Sequence, residues 1–426
     1  MSDPEIERVI SQVWKHESAR VIAALARLLR NVHLAEEFAQ DALVAALEQW
    51  PAVGLPDRPG AWLMTTAKNR ALNAIRHRGV VEDKLDAVGH AFEAELSLEA
   101  VEAALEAGMD QDIADDVLRL VFAACHPVLA RETQVALTLR MLGGLSTDEI
   151  ARAFLVSEST IAQRIVRGKR ALAEANVPFE VPRGAELGER LSAVLEVVYL
   201  IFNEGYLASA GDDVMRPALC HEALRLGQLL SELAPNEPEV LGLQALMELT
   251  ASRAEARTDE HGEPILLLEQ DRLRWDASNI QRGLAALAHA ESLGQRPGPY
   301  QLQAALAACH ARAPSADATD WRSIAELYSE LAQRQPSPVV ELNRAIAISR
   351  ADGPLAGLSL LDALAALPAM ARYHLLPSAR ADMLERLGRF REARAEFERA
   401  AELTDNARQR ERLRRRAQLC ESKAHS

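Results

Sequence analysis

Aromatic side chains are scarce, at 4% of the chain, and β-branched residues rarely run together. Strands are built from those side chains, which fill a pleated surface, so a large sheet is excluded. Cysteine is scarcer still, with four in 426 residues and no Cys-x-x-Cys pair, too few for a disulfide framework. No long hydrophobic run is present either. The nearest, Gly353 to Ala371, carries Asp362, Pro354 and Pro368, which suits a packed helix pair better than a membrane span. The stretch MSDPEIERVISQVWKHESAR lacks the apolar centre of a signal peptide, and a cytoplasmic protein with no membrane partner is expected. A Gly-rich phosphate loop, a nucleophile elbow and a paired acidic strand motif are all missing, so no catalytic residue, cofactor or enzyme activity is expected. An excess of positive charge is missing as well. The formal net charge is −14, and any nucleic-acid surface has to be local.

What is abundant points one way. Hydrophobic residues reach 49% and charged ones 26%, a globular composition. Ala, Leu, Arg and Glu dominate, the residues that lose least entropy on entering a helix. The expected fold class is all-α.

The charge is unevenly placed. Lys68, Arg70, Arg76 and Arg78 form one basic island with no acid among them, and Arg164, Arg167, Lys169 and Arg170 form a second. Between them, from Glu82 to Asp116, stand twelve acids against Lys84 alone. Two contact modules for nucleic acid, joined by a solvated connector, fit this pattern. The first module holds a helical face of Phe38, Ala42, Leu43, Ala46, Leu47 and Trp50, opposed by Glu36, Glu37, Gln40, Asp41 and Glu48. Pro51, Gly54, Pro56, Pro59 and Gly60 force a loop before the next helix. In the second module Gly143 and Gly144 stop a helix, and Ser146 with Glu149 has capping-box spacing. Ser157 is a second N-cap, followed by Thr160, Ile161, Ile165 and Val166 at helical spacing. Helix, short turn and basic second helix make a helix-turn-helix.

Pro178, Pro182 and Gly184 then mark a linker, after which amphipathic helices follow one another with short breaks. Gly388, Phe390, Ala393, Phe397 and Ala400 fall where the two helices of a tetratricopeptide repeat nest, and a weaker copy about 35 residues earlier turns at Gly353. Three Cys-His dipeptides, Cys125-His126, Cys220-His221 and Cys309-His310, use three of the four cysteines. Adjacent residues on a helix point about 100° apart and chelate poorly, so they are expected to be core residues and no metal site is expected.

These residues resemble a known family. AEEFAQDALVAALEQW, RPGAWLMTTAKNRALNAIRHR and LSTDEIARAFLVSESTIAQRIVRGKRAL are similar to the segments of an extracytoplasmic-function sigma factor that dock on the polymerase clamp, engage the −10 element and read the −35 element. The later helices resemble the subgroup with a fused tetratricopeptide-like extension. The resemblance implies sigma region 2 at 1–80, an acidic linker at 81–114, sigma region 4 at 115–176, a second linker at 177–186 and the extension at 187–426. Its partners would be core RNA polymerase and promoter DNA, with contact between extension and sigma domains an open question.

Site residues follow from that expectation together with the chemistry of recognition. At the −35 element they are Ser157, Ser159, Thr160, Gln163, Arg164, Arg167 and Lys169. Hydroxyls and amides at a helix start suit a phosphate, Arg suits guanine edges, Gln suits adenine, and Lys suits the backbone. At the −10 element they are Lys68, Asn69, Arg70, Asn73 and Arg76, cations for phosphates and amides for exposed bases. Trp62 is read as a structural ring. Glu37, Gln40 and Asp41 are assigned to polymerase. A helix-turn-helix regulator that does not replace sigma, and a repeat scaffold for protein binding, remain as alternatives.

Overall fold

A computed structural model describes residues 3–29, 31–85, 113–154, 156–206, 216–259, 265–404 and 407–425. Of the acidic connector, residues 86–112 lie outside the described residues. Among the described residues there are eighteen α-helices, three 3₁₀ turns and no strand, so the all-α expectation holds. No described helix is long and apolar enough to cross a membrane. The chain forms two compact units, Met1–Leu233 and Ala234–Ser426.

The first unit opens with α1 (Asp3–Leu29), α2 (Val32–Val53) and α3 (Pro59–Leu85). Asn31 starts α2 by accepting from Leu34 N at 3.1 Å, an N-cap that satisfies one of the helix's free amides. Val21, Ile22 and Leu25 of α1 are fully buried because α2 and α3 cover one side of α1 and α4 (Ile113–Ala124) covers the other. Next come α5 (Arg131–Met141), α6 (Thr147–Phe154) and α7 (Glu158–Glu174). The capping box at the head of α6 is reciprocal: Ser146 N donates to Glu149 Oε2 at 2.8 Å and Glu149 N to Ser146 Oγ at 3.1 Å. Ser157 caps α7 by accepting from Thr160 N at 3.2 Å. Gly168 lies mid-helix, where glycine costs entropy. A Cβ there would stand 2.5 Å from Thr133 Cγ2, so α5 and α7 pack as closely as they do only with glycine at this position.

The same compact unit continues past the Pro178–Gly184 segment into α8 (Ala185–Tyr206) and α9 (Pro217–Leu233). These two helices pack on each other and onto α4 and α5. Arginines fasten the seam to helix C-terminal carbonyls, the electronegative ends of the helix dipoles. Arg190 donates to Phe122 O at 2.9 Å and stacks on the Phe122 ring. Arg225 donates to Leu142 O, and Arg216 bridges Ala153 O and Glu204.

The second unit runs from α10 (Pro238–Ala251) through α11 (Ala277–Ser292), α12 (Pro299–Arg312), α13 (Trp321–Arg334), α14 (Pro338–Ala351), α15 (Pro354–Ala365), α16 (Leu375–Arg386) and α17 (Phe390–Leu403) to α18 (Ala407–Ala424). Each helix packs on its neighbour in sequence. At the α16–α17 turn Gly388 has φ +74, and Ala393, Phe397 and Ala400 are fully buried in the core that follows. Between α10 and α11, Arg272 stacks on Trp275 and donates to His310 O, Ala313 O and Thr319 Oγ1, tying the loop to the end of α12.

Candidate nucleic-acid interface

Helix α7 presents one open stripe. Ser159, Gln163 and Arg167 are exposed and Arg164 is half-buried. Neither Arg164 nor Arg167 has an ion-pair partner among the described residues. Ser157 Oγ lies 2.9 Å from Ser159 Oγ and 2.8 Å from Thr160 Oγ1, a hydroxyl cluster over the helix start. Such a face offers a phosphate amides, hydroxyls and positive charge together. Arg170 lies on the same exposed face but is paired to Glu174 at 2.6 Å. Val166 lies on the open stripe at 62% exposure, although its spacing reads as core. An uncompensated apolar residue on a recognition helix is the signal that would have marked it.

Lys169 sits apart from that stripe. Its Nζ is 2.7 Å from Glu36 Oε2, and the two side chains are 11% and 5% exposed. Arg140 Nε reaches the other oxygen of the same carboxylate at 3.2 Å, and Gln40 Nε2 donates to it. Sequence pattern places Glu36 on the solvated face of α2. The structure buries it, because cations more than a hundred residues downstream close over it.

On α3, Thr65, Asn69 and Asn73 are exposed at four-residue spacing and form a polar strip. Thr65 was not among the residues picked from sequence. Arg70 pairs with Asp41 at 3.6 Å on the surface. Lys68 is partly buried, and burial followed by the nearby Arg27 charge lowers its pKa. The side chain of Arg76 lies outside the described residues. Trp62 packs edge-on against the buried Trp50, with centroids 5.3 Å apart, in keeping with a structural ring. The open side of α2 carries Glu37 with Asp41, Val44, Leu47 and Glu48. Leu47 was expected in the core and is 43% exposed, because Ala35, Ala39, Ala42, Ala45 and Ala46 let α1 approach closely on the opposite side.

Cys125-His126 and Cys220-His221 belong to the first unit and Cys309-His310 to the second. Cys125 is buried 3.4 Å from Thr138 Oγ1, and burial raises its thiol pKa to about 11. His310 packs edge-on against Trp321 and is pushed down to about 4, first by burial and then by Arg253 and Arg272. No group of three metal-ligating side chains occurs among the described residues.

Comparison with known proteins matches this geometry. Residues 13–80 match Sigma-70 region 2, residues 119–172 match Sigma-70 region 4, and residues 190–291 match a family of unknown function, DUF6596. An uncharacterized protein of Rhizobium meliloti (strain 1021) is 42% identical over 392 residues, which span 91% of this chain and 90% of that one. No solved structure matches. The region 2 match covers helices that a plain helix-turn-helix regulator does not need, and the chain belongs to the sigma-70 family of sigma factors, which bind core RNA polymerase and promoter DNA to initiate transcription.

Proposed function

We propose that this sigma factor is of the extracytoplasmic-function type, with recognition divided between its two open polar strips. The α7 strip of Ser157, Ser159, Thr160, Gln163, Arg164 and Arg167 reads the −35 duplex, and Val166 meets a thymine methyl. The α3 strip of Asn69 and Asn73, with Thr65 beside them, captures unpaired bases of the −10 element while Lys68, Arg70 and Arg76 face phosphates. Glu37, Gln40 and Asp41, together with the exposed Val44 and Leu47, form the polymerase-facing stripe. The observation that carries the reading is the pair Arg164 and Arg167 on a capped helix, neither with an ion-pair partner among the described residues. Transcription from a candidate promoter by core polymerase, with and without the chain, tests it. Charge reversal at Asp41 is expected to abolish association with core enzyme while the helical spectrum stays unchanged.

The second unit is proposed to be a tetratricopeptide-like extension that acts in cis and is required for full activity. Its support is the nested pair at Gly388, Phe397 and Ala400 and the high local concentration a tether provides. A chain ending after Leu233 is the test, because it keeps α8 and α9 on region 4. Promoter-directed activity equal to that of the full chain would remove the regulatory role.

A further inference from the structure

The first unit holds a cavity of about 850 Å³, walled by helices and by the segment that follows α7. Arg27 of α1, Arg119 of α4 and Arg183 of the segment line it, with His33 from the start of α2. Lys169 of α7 lines it too, although Glu36 holds its ammonium. Among the described lining residues Glu180 is the one acid. Arg27 and Arg119 both meet the buried Asp116, at 3.2 and 2.5 Å, and are thereby fixed in place. Arg183 and His33 are exposed and have no ion-pair partner among the described residues. In a chain of formal net charge −14, so much positive charge around one cavity calls for an anion.

The rest of the lining is mostly apolar, with Val32, Leu172, Val177, Pro178 and the half-buried ring of Phe179. Local geometry puts that ring there. Asn176, with φ +46, ends α7, and Val177 N donates to Leu172 O at 3.1 Å, the left-handed cap that asparagine tolerates better than most side chains. The turn carries Pro178 and Phe179 along the cavity and satisfies a carbonyl at the negative end of α7. Helix α2 begins at the same place. Its cap Asn31 lines the cavity with Val32 and His33, so the positive end of a 22-residue helix adds to the arginines.

We propose that this cavity binds a nucleoside di- or triphosphate, with the phosphates held by Arg27, Arg119 and Arg183 at the start of α2 and the base laid against Phe179. Guanidinium forks match phosphate oxygens, helix-start amides suit the same group, and an aromatic face stacks any base. The volume falls within the range of small-molecule sites, which pair an apolar lining with a few convergent polar groups. A free phosphate would leave the apolar side of the cavity unused, and a DNA duplex is too wide to enter it. The site shares no residue with the open strips of α7 and α3, so it is a function beyond promoter recognition and stands independently of that reading.

The test is calorimetric titration of the full chain with ADP, GDP, CDP and UDP, and with inorganic pyrophosphate and adenosine as part-ligands. At least one nucleotide is expected to bind about tenfold tighter than either part. Arg183→Glu is expected to weaken nucleotide and pyrophosphate alike, by about tenfold. Phe179→Ala is expected to weaken the nucleotide by about five- to tenfold and to leave pyrophosphate unchanged. Arg152→Glu, which reverses an exposed cation on α6 outside the lining, is expected to change neither. The proposal is overturned if none of the four nucleotides binds, or if pyrophosphate binds as tightly as they do, the mark of a simple anion site. Nucleotide binding that ignores both Arg183→Glu and Phe179→Ala also overturns it, because the ligand then sits elsewhere. Should a variant fail to fold, hydrogen exchange on the wild type decides. The tightest nucleotide is expected to protect the start of α2 and residues 177–183, and unchanged exchange at both places overturns the proposal.

Discussion

Helix α2 takes one cation from each basic island, and the two pairs could hardly differ more. Asp41 meets Arg70 of the first island at 3.6 Å, with both side chains well exposed. Glu36, on the same helix, meets Lys169 of the second island at 2.7 Å with both enclosed. The residue types and the charge signs match. Burial separates them: at the surface water screens the attraction and side-chain entropy offsets most of it, whereas in the seam the charges have given up water and depend on one another. Counting ion pairs would score the two alike, and only the enclosed pair can hold modules together.

The largest effect expected to sharpen this contrast is at Glu36. Glu36→Ala leaves Arg140 and Lys169 facing a seam without counter-charge, and removing one partner of an enclosed pair costs about 3–5 kcal/mol. Denaturant titration of the 1–233 chain should show that loss as a lowered midpoint. A change below about 1 kcal/mol would place Glu36 with the surface pairs.

Much of this molecule is legible along the chain, and the limits have a common cause. The capping box at Ser146 and Glu149, the cap at Ser157 and the nested turn at Gly388 are local, with every partner within a few residues, so spacing alone reveals them. Glu36 is not local. Its burial depends on Arg140 and Lys169, and no periodicity on α2 announces a cation arriving from a helix that far downstream. Leu47 misled for the converse reason: apolar spacing marks a face, but a row of alanines on the other side made the closer contact. The proline-rich stretch at Pro178–Gly184 reads as a linker, yet Arg190, Arg216 and Arg225 beyond it reach back to carbonyls of the preceding module. A side chain that caps a distant helix end carries no signature in its own neighbourhood.

His310 supplies a third treatment of a buried titratable group, neither paired in a seam nor left at the surface. Burial, helped by Arg253 and Arg272, lowers its pKa from 6.5 to about 4, so the folded second unit holds it neutral. The unfolded chain binds more protons between those values, so stability is complete above about pH 6.5 and falls as pH drops towards 4. A shift of that size corresponds to about 3 kcal/mol across the window. His310→Phe should flatten the pH dependence of the melting of the second unit. A slope that survives the substitution would assign the effect to another group.

On the open stripe of α7 the expected effects are smaller and fall on binding. Arg167→Ala should weaken −35 recognition by about 1–3 kcal/mol if the guanidinium meets a base edge. A contact to phosphate alone would instead reduce affinity evenly across sequences and lower the salt slope by about one. Competition between matched and mismatched duplexes at two salt concentrations separates the two.

The smallest expected effect is the one that closes the contrast on α2. A double-mutant cycle of Asp41→Asn and Arg70→Gln, followed by denaturant titration, should return a coupling of about 0.2–1 kcal/mol, the range of exposed pairs. It should shrink further as salt rises from about 0.05 to 0.5 M, since an exposed pair feels the shorter screening length. The same cycle on Glu36→Gln and Lys169→Gln should give a larger coupling that hardly responds to salt, because mobile ions do not enter the seam. If both cycles returned the same coupling and the same salt response, burial would not be what distinguishes them. The packing of the region 2 helices on the region 4 helices would then have to depend on α1, where Arg27 meets Asp116, Lys15 meets Glu149 and Gly144 seats against Ser18.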